Sequence, residues 1–145
     1  MRRFEIVSVN VSALKGVPKE PVERIVLEKD FGVAGDAHGG NWHRQVSLLA
    51  VEDIAALSRE SVRPGFGDFA ENITTKGIDL ASLPIGSHLQ IGTALLEITQ
   101  IGKECHTGCA IKRRIGDCIM PKRGVFAKVM EGGEITNESV GAYDF

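Results

Sequence analysis

The sequence predicts a mostly β, barrel-like fold with a few short helices. Many short segments with alternating or β-branched apolar residues are separated by turns rich in glycine and proline, a pattern typical of small barrels. Only two short stretches favour a helix. The length of 145 residues is that of one domain, so we expect a single domain over residues 1–145.

The first half of the chain predicts three strands, a long loop and a helix. Phe4–Val11 alternates, Val22–Glu28 is β-branched with a period of two, and Gln45–Ala50 is a short apolar run, so each is predicted as a strand. Phe31–His43 contains four glycines and has neither period, which predicts a long loop of a kind that is often functional. Val51–Arg59 has apolar residues at helical spacing and is predicted as an amphipathic helix.

The second half predicts further short strands. Asp68–Thr75 is predicted as a strand whose polar residues are exposed, and Ile111–Ile115 as part of a short helix. His88–Ile91 and Leu95–Ile101 both alternate around Gly92-Thr93, which indicates a hairpin. Val125–Met130 is predicted as the last strand, after which the glycines near residue 132 turn the chain towards a polar C-terminal end.

Composition and charge exclude several classes of protein. The apolar and charged fractions, 43% and 25%, are those of an ordinary globular domain. A net charge of −2 argues against a wholesale nucleic-acid binder. The sequence has neither the apolar run of a membrane span nor a signal peptide. Three cysteines, an odd number, argue against a disulfide framework, and we expect a cytoplasmic protein.

The segment Gln100–Gly124 concentrates the chemistry of the sequence. It contains Cys105, Cys109 and Cys118 as well as His106. Between residues 103 and 128 there are seven Lys or Arg against two Asp or Glu. Thiolate chemistry surrounded by positive charge predicts an anionic ligand with an affinity for sulfur.

Cys105 is the cysteine predicted to be reactive. It follows a predicted strand and a glycine, where a loop exposes a thiol, and Lys103 and His106 are positive neighbours that favour the thiolate. Cys109 and Cys118 are predicted either as packing residues, because cysteine is often buried, or as a resolving thiol for a persulfide on Cys105. A structural zinc site stays open as an alternative, although four ligands in two close pairs are the usual pattern.

The glycine-rich loop carries a second candidate site. Asp36 could simply form a turn by accepting a hydrogen bond from its own backbone. Two histidines and an arginine, His38, His43 and Arg44, are more than a turn requires, and they predict donors for a phosphate or a pterin.

Two further groups of polar residues have both an ordinary and a functional interpretation. Glu71 and Asn72 interrupt an otherwise apolar segment. Such residues are typical of the solvated face of an edge strand. The alternative is that the Asn72 amide, which offers both a donor and an acceptor, recognises the edge of a heterocycle. Arg113 and Arg114 fit an ordinary solvated surface, or phosphate binding beside the cysteine loop.

These segments together resemble the MOSC family, which is named for the C-terminal region of molybdenum cofactor sulfurases. The resemblance extends from Phe4 to Ile135 and rests on seven segments in family order: GDAHGG with HRQVSLL, GDFAENITTKGIDL, LPIG, LQIG, ITQIGKECH with a following cysteine, and MPKRGVFAKVMEGGEI. Ala70 stands where many members have glycine.

The resemblance implies a compact β-barrel-like fold that binds molybdenum cofactor (molybdopterin), and a family association with pyridoxal phosphate binding. It implies that Cys105 carries sulfur or ligates molybdenum. The cofactor-binding set that we derive from the residues and the resemblance together is His38, His43, Arg44, Glu71, Asn72, Lys103, His106, Arg113 and Arg114.

Two functions follow from this resemblance. One is a carrier that holds the cofactor, or a persulfide on Cys105, and passes it to molybdenum cofactor biosynthesis proteins or molybdoenzymes. The other is a small molybdoenzyme that reduces N-hydroxylated compounds with an external electron donor. The sequence has no counterpart of the sulfurases' aminotransferase-like domain or of a ferredoxin-like domain, which favours the carrier.

Overall fold

Strands make up most of the computed structural model, which describes residues 2–57, 65–102 and 120–144. The helices are α1 (Val51–Leu57), a short 3-10 turn (Leu80–Ser82) and α2 (Met120–Arg123). The strands are β1 (Arg2–Val11), β2 (Glu20–Val22), β3 (Arg24–Glu28), β4 (Gly32–Val33), β5 (Val46–Ala50), β6 (Ile73–Lys76), β7 (His88–Ile91), β8 (Ala94–Ile101), β9 (Val125–Glu131), β10 (Gly133–Thr136) and β11 (Val140–Asp144).

Seven of the strands close into a barrel in the order β11-β7-β8-β9-β5-β6-β1, because β1 also pairs with β11. Strand β2 adds to β1 outside this ring, and β10, β3 and β4 form a separate small sheet. Closure removes the exposed edges that an open sheet of this size would have. The mostly β, barrel-like fold predicted from the sequence is therefore confirmed.

Alternation along the strands fills the barrel with apolar side chains. Ala94, Leu96 and Ile98 of β8 point inward and are completely buried. Strand β9 contributes Val125, Ala127 and Val129 in the same way. The even-numbered Phe126 belongs to a second, smaller cluster with Leu49, Ile54, Phe69 and Met120. This cluster fastens α1 and α2 to the strands.

Several predicted boundaries agree with the structure. The hairpin of β7 and β8 turns at Gly92-Thr93, as expected. The first strand and the strand before α1 agree with their predicted bounds to within one or two residues. Helix α1 begins at Val51 as predicted and is described to Leu57, so its predicted end at Arg59 lies outside the described residues, as does the helix predicted at Ile111–Ile115.

Three predictions about strands were wrong. The predicted strand Val22–Glu28 is divided between two sheets, because β2 pairs with β1 whereas β3 pairs with β10. Val125–Met130 is not the last strand. The polar C-terminal end supplies β10 and β11, and each buries an apolar anchor, Ile135 and Tyr143 respectively.

The predicted strand Asp68–Thr75 begins only at Ile73. Residues 65–72 form a chain of turns, in which Ala70 adopts a φ of 64°, a conformation that favours glycine. This conformation explains the glycine that the resemblance places at this position. Strand β6 then pairs with β5 in parallel, which the connection through α1 makes possible.

None of the helices in the described ranges is long and apolar enough to cross a membrane.

Candidate functional site

The glycine-rich loop after β4 is fastened to the end of β1 through Asp36. The Ser12 amide donates to Asp36 Oδ1 at 3.0 Å, and the Ala37 amide donates to the Ser12 carbonyl at 2.7 Å. The His38 amide donates to Asp36 Oδ2 at 3.1 Å. Asp36 thus forms the expected bond to its own loop, but it also binds a group from elsewhere in the chain.

That group is the ammonium of Lys19, which is completely buried with its partner. Lys19 Nζ lies 2.8 and 3.0 Å from the two carboxylate oxygens of Asp36, and both side chains have 0% exposure. The same Nζ lies 2.9 Å from His38 Nδ1. The His38 side chain remains 26% exposed, so this network links a buried ion pair to a ring that solvent can reach.

The network holds Asp36 in its charged form. Burial by itself would raise the pKa of the carboxyl, but the neighbouring His38, the hydrogen bond and charge of Lys19, and the hydrogen bond from the Ser12 amide outweigh burial. The pKa of Asp36 therefore lies well below its ordinary value.

Arg44 lies over two aromatic rings at the other end of the loop. Its guanidinium carbon is 4.6 Å from the centre of the Trp42 ring and 5.7 Å from that of Phe126. The Trp42 indole is in turn fixed by a 2.8 Å hydrogen bond from Nε1 to the His38 carbonyl. Within the described part of the chain, the buried Arg44 Nε has no hydrogen-bond partner. An anion is the partner that such a planar donor group fits best.

His43 attaches this loop to the end of β8. Its Nε2 lies 2.8 Å from Gln100 Oε1, and the Thr99 hydroxyl donates to the His43 carbonyl. Strand β8 ends at Ile101. The loop with His38, His43 and Arg44 is thus held against the strand that leads into the cysteine-bearing segment.

Glu71 is completely buried, contrary to the expectation of an exposed polar face. Its carboxylate accepts hydrogen bonds from the Gly67 amide at 3.0 Å, the Phe69 amide at 3.2 Å and the Thr74 hydroxyl at 2.8 Å. Burial raises the pKa of Glu71, and these hydrogen bonds oppose that shift only in part. The visible role of Glu71 is to organise the turns of residues 65–72.

Asn72 is also completely buried. Its Oδ1 accepts from the Ser47 amide at 3.0 Å and from the Ser47 hydroxyl at 3.1 Å, and its Nδ2 donates to the Asn10 carbonyl at 3.2 Å. The amide therefore connects β5 with β1. Contact of Glu71 or Asn72 with a cofactor stays a prediction.

The remaining predicted site residues lie outside the described residues: Lys103, Cys105, His106, Arg113 and Arg114, together with Cys109 and Cys118. Among the residues that the structure describes, no group of three or more His, Cys, Asp or Glu is arranged to hold a metal ion.

Sequence reasoning missed Lys19 and Trp42. Lys19 stands between Pro18 and Glu20 in a segment that reads as an exposed turn, and nothing local signals its burial. Trp42 is the single tryptophan of the chain and directly precedes a predicted site residue, which could have marked it as a platform for Arg44.

Comparison with known proteins agrees with this architecture. The YuaD protein from Bacillus subtilis superposes with a TM-score of 0.82 at 17% identity, covering 99% of this chain and 97% of that one. YiiM from Escherichia coli gives 0.74 at 17% identity over 100% of this chain and 71% of the other. YiiM from Geobacillus stearothermophilus gives 0.72 at 20% identity, covering 98% and 75%. At these identities the likeness shows the fold alone.

No curated protein matches the sequence. A protein-family model described as MOSC domain matches residues 34–140, a range that includes most of the glycine-rich loop, the turns around Glu71 and the segment with the three cysteines. This match covers well over half of the chain. The protein therefore belongs to the MOSC domain family, which is associated with molybdenum cofactor-related substrates.

Proposed function

We propose that this protein binds molybdenum cofactor, or carries sulfane sulfur, through Cys105 and passes it to a partner protein. The partner would be a protein of molybdenum cofactor biosynthesis or a molybdoenzyme. The observation that carries the proposal is the attachment of the glycine-rich loop to β8 by His43, Thr99 and Gln100. Cys105 follows Gln100 by five positions in the sequence.

The described residues fit the phosphate end of such a cofactor. Arg44 offers a planar cation whose buried Nε has no partner in the described ranges, and the Trp42 and Phe126 rings hold its guanidinium, with ring centres at 4.6 and 5.7 Å from its central carbon. A preoriented guanidinium loses little freedom when it binds a phosphate. His38 lies in the same loop with part of its ring open to solvent.

The thiolate of Cys105 is the group that would hold the metal, since soft thiolates select such partners. As a sulfur carrier it would attack the sulfane sulfur of a donor persulfide, and the donor would leave as its thiolate. Molybdenum cofactor supplies, when bound, a metal that changes oxidation state and exchanges oxygen or sulfur. The residues of this chain bind and orient it.

We expect the Cys105→Ser variant to lose at least about 90% of the bound molybdenum and sulfane sulfur, because an alcohol replaces the soft ligand. The protein is expressed in a molybdenum-replete host, and metal, pterin and sulfane sulfur are measured per chain. Cys109→Ser and Cys118→Ser serve as matched controls and should retain most of both.

Retention by Cys105→Ser together with loss in either control would assign the role to another cysteine. Loss of zinc and of the folded state in all three variants would support a structural zinc site instead. Loaded protein that reduces an N-hydroxylated compound with an external donor would favour the small molybdoenzyme over the carrier. The same cofactor analysis tests the predicted association with pyridoxal phosphate.

The phosphate role of Arg44 gives a second expectation. Arg44→Lys keeps the charge but loses the planar fork that lies over the Trp42 ring, so we expect cofactor content to fall about tenfold, the effect of one charge-assisted hydrogen bond. The matched control is Arg24→Lys, since Arg24 has a side chain that is 66% exposed and a long contact with Glu134 at 3.8 Å. Equal cofactor content in Arg44→Lys and Arg24→Lys would show that Arg44 does not bind the cofactor.

A further inference from the structure

We propose that Lys19 and Asp36 hold His38 as the neutral tautomer protonated on Nε2, so that the loop presents an N–H donor to an electron-rich atom of its ligand. The second half of this inference rests on the proposed function, because it assumes a ligand at the loop. The first half concerns the protein alone.

The charge of Lys19 is stabilised by Asp36. Two contacts of 2.8 and 3.0 Å join the ammonium to the carboxylate, and neither side chain reaches solvent. A buried ammonium so close to a carboxylate is stabilised in its charged form. It has three N–H donors and no lone pair to offer.

The tautomer of His38 then follows from its position beside that ammonium. Nδ1 lies 2.9 Å from Lys19 Nζ and 3.6 Å from Asp36 Oδ2. Only the contact with Lys19 is within hydrogen-bond distance, and an ammonium can only donate, so Nδ1 is the acceptor of this contact. A ring that accepts at Nδ1 and is neutral carries its proton on Nε2. None of the described residues forms a hydrogen bond with His38 Nε2, and the ring is partly open to solvent. The free donor is therefore available to a ligand.

His43 in the same loop has the opposite polarity. Gln100 Nε2 donates to the Gly102 carbonyl at 2.7 Å, which fixes the amide so that Oε1 faces His43. His43 Nε2, at 2.8 Å from that oxygen, must then be a donor. A neutral His43 donates its Nε2–H to Gln100 and keeps Nδ1 as an acceptor, whereas His38 offers its Nε2–H to a ligand.

The turns of residues 65–72 fix the position of Lys19 through backbone hydrogen bonds. The Lys19 amide donates to the Gly67 carbonyl at 2.7 Å, and the Gly67 amide donates to the buried carboxylate of Glu71 at 3.0 Å. Glu71 thus positions Gly67, Gly67 positions Lys19, and Lys19 orients His38. Lys19 and Glu71 are positioning residues that act through His38.

Nitrogen NMR of histidine-labelled, cofactor-free protein tests the tautomer directly. We expect His38 to show a pyridine-like Nδ1 and a pyrrole-like Nε2 near neutral pH, with its signals assigned by their loss in His38→Gln. In Lys19→Met the ring should move towards a mixture of tautomers while the His43 signals stay unchanged. A pyrrole-like Nδ1, or averaged signals, in the wild-type protein would overturn the inference even if the variant failed to fold.

Two substitutions of His38 test the donor towards the ligand. The amide nitrogen of glutamine can take the place of Nε2, whereas that of the shorter asparagine reaches only the place of Nδ1. We expect His38→Gln to retain its bound molybdenum. In His38→Asn the molybdenum bound per chain should fall about tenfold, the effect of losing one hydrogen bond to a charged group. Equal content in both variants would overturn the donor role. A wild-type protein that shows the tautomer but binds no molybdenum would refute the proposed function and leave the tautomer standing.

Discussion

Asp36→Asn is expected to lower the free energy of unfolding by about 3–5 kcal/mol, the cost of leaving one member of a buried ion pair without its partner. The Lys19 ammonium has 0% side-chain exposure and would lose the carboxylate that now lies 2.8 and 3.0 Å away. Urea unfolding of the two proteins at neutral pH measures the difference.

The double variant Lys19→Met/Asp36→Asn separates the ion pair from the rest of the site. It removes both charges, so we expect it to be more stable than Asp36→Asn alone, because no unpaired charge remains buried. The matched control is Glu134→Gln, which breaks the exposed Arg24–Glu134 contact and should cost less than about 1 kcal/mol. An Asp36→Asn cost no larger than that of the control would show that the buried pair contributes little.

The same pair predicts the acid dependence of stability. The pKa of Asp36 is lowered in the folded protein, so its carboxylate binds protons less readily there than in the unfolded chain. Its contribution is complete above the unfolded pKa of about 3.9 and is lost as the pH falls towards the lower folded value. We therefore expect the unfolding free energy of Asp36→Asn to decline less than that of the wild type between pH 5 and about pH 3.

The barrel could be predicted because alternation is a local property. The inward-facing residues of β8 and β9 are apolar and recur at every second position. The turn at Gly92-Thr93 lies between the alternating segments that form β7 and β8. Burial of polar residues is not local. Asn72 is buried by hydrogen bonds to Asn10 and Ser47, which lie 62 and 25 positions away, so its short segment reads as an exposed strand.

In the candidate site, too, some residues could be recognised from the local sequence and others could not. His38, His43 and Arg44 could be recognised because they cluster beside glycines in one loop. Lys19 could not be recognised, since its burial depends on Asp36 at a distance of 17 positions. A lysine next to proline in a polar turn is normally exposed. Only the folded chain brings its ammonium to the ring of His38.

Substitution of Gly67, whose backbone lies close to that of Lys19, is expected to have the second large effect on stability. Gly67 has a φ of 83°, and a Cβ at this position would lie 2.2 Å from the Lys19 carbonyl oxygen and 3.3 Å from Asn10 Cβ. We expect Gly67→Ala to lower the free energy of unfolding by about 2–5 kcal/mol, of which the left-handed backbone accounts for about 1–2 kcal/mol and the steric overlap for about 1–3 kcal/mol. Chemical unfolding measures this cost.

Gly77→Ala is the matched control, because Gly77 has nearly the same φ, 87°, and no atom within 4 Å of an added Cβ. It should cost only the backbone part, about 1–2 kcal/mol. Since the Lys19 amide bonds to the Gly67 carbonyl, any folded Gly67→Ala protein should also lose the single tautomer of His38, whereas Gly77→Ala should keep it. Equal costs in the two variants, with the His38 signals intact in both, would show that the turn yields to the methyl group and that Gly67 does not position Lys19.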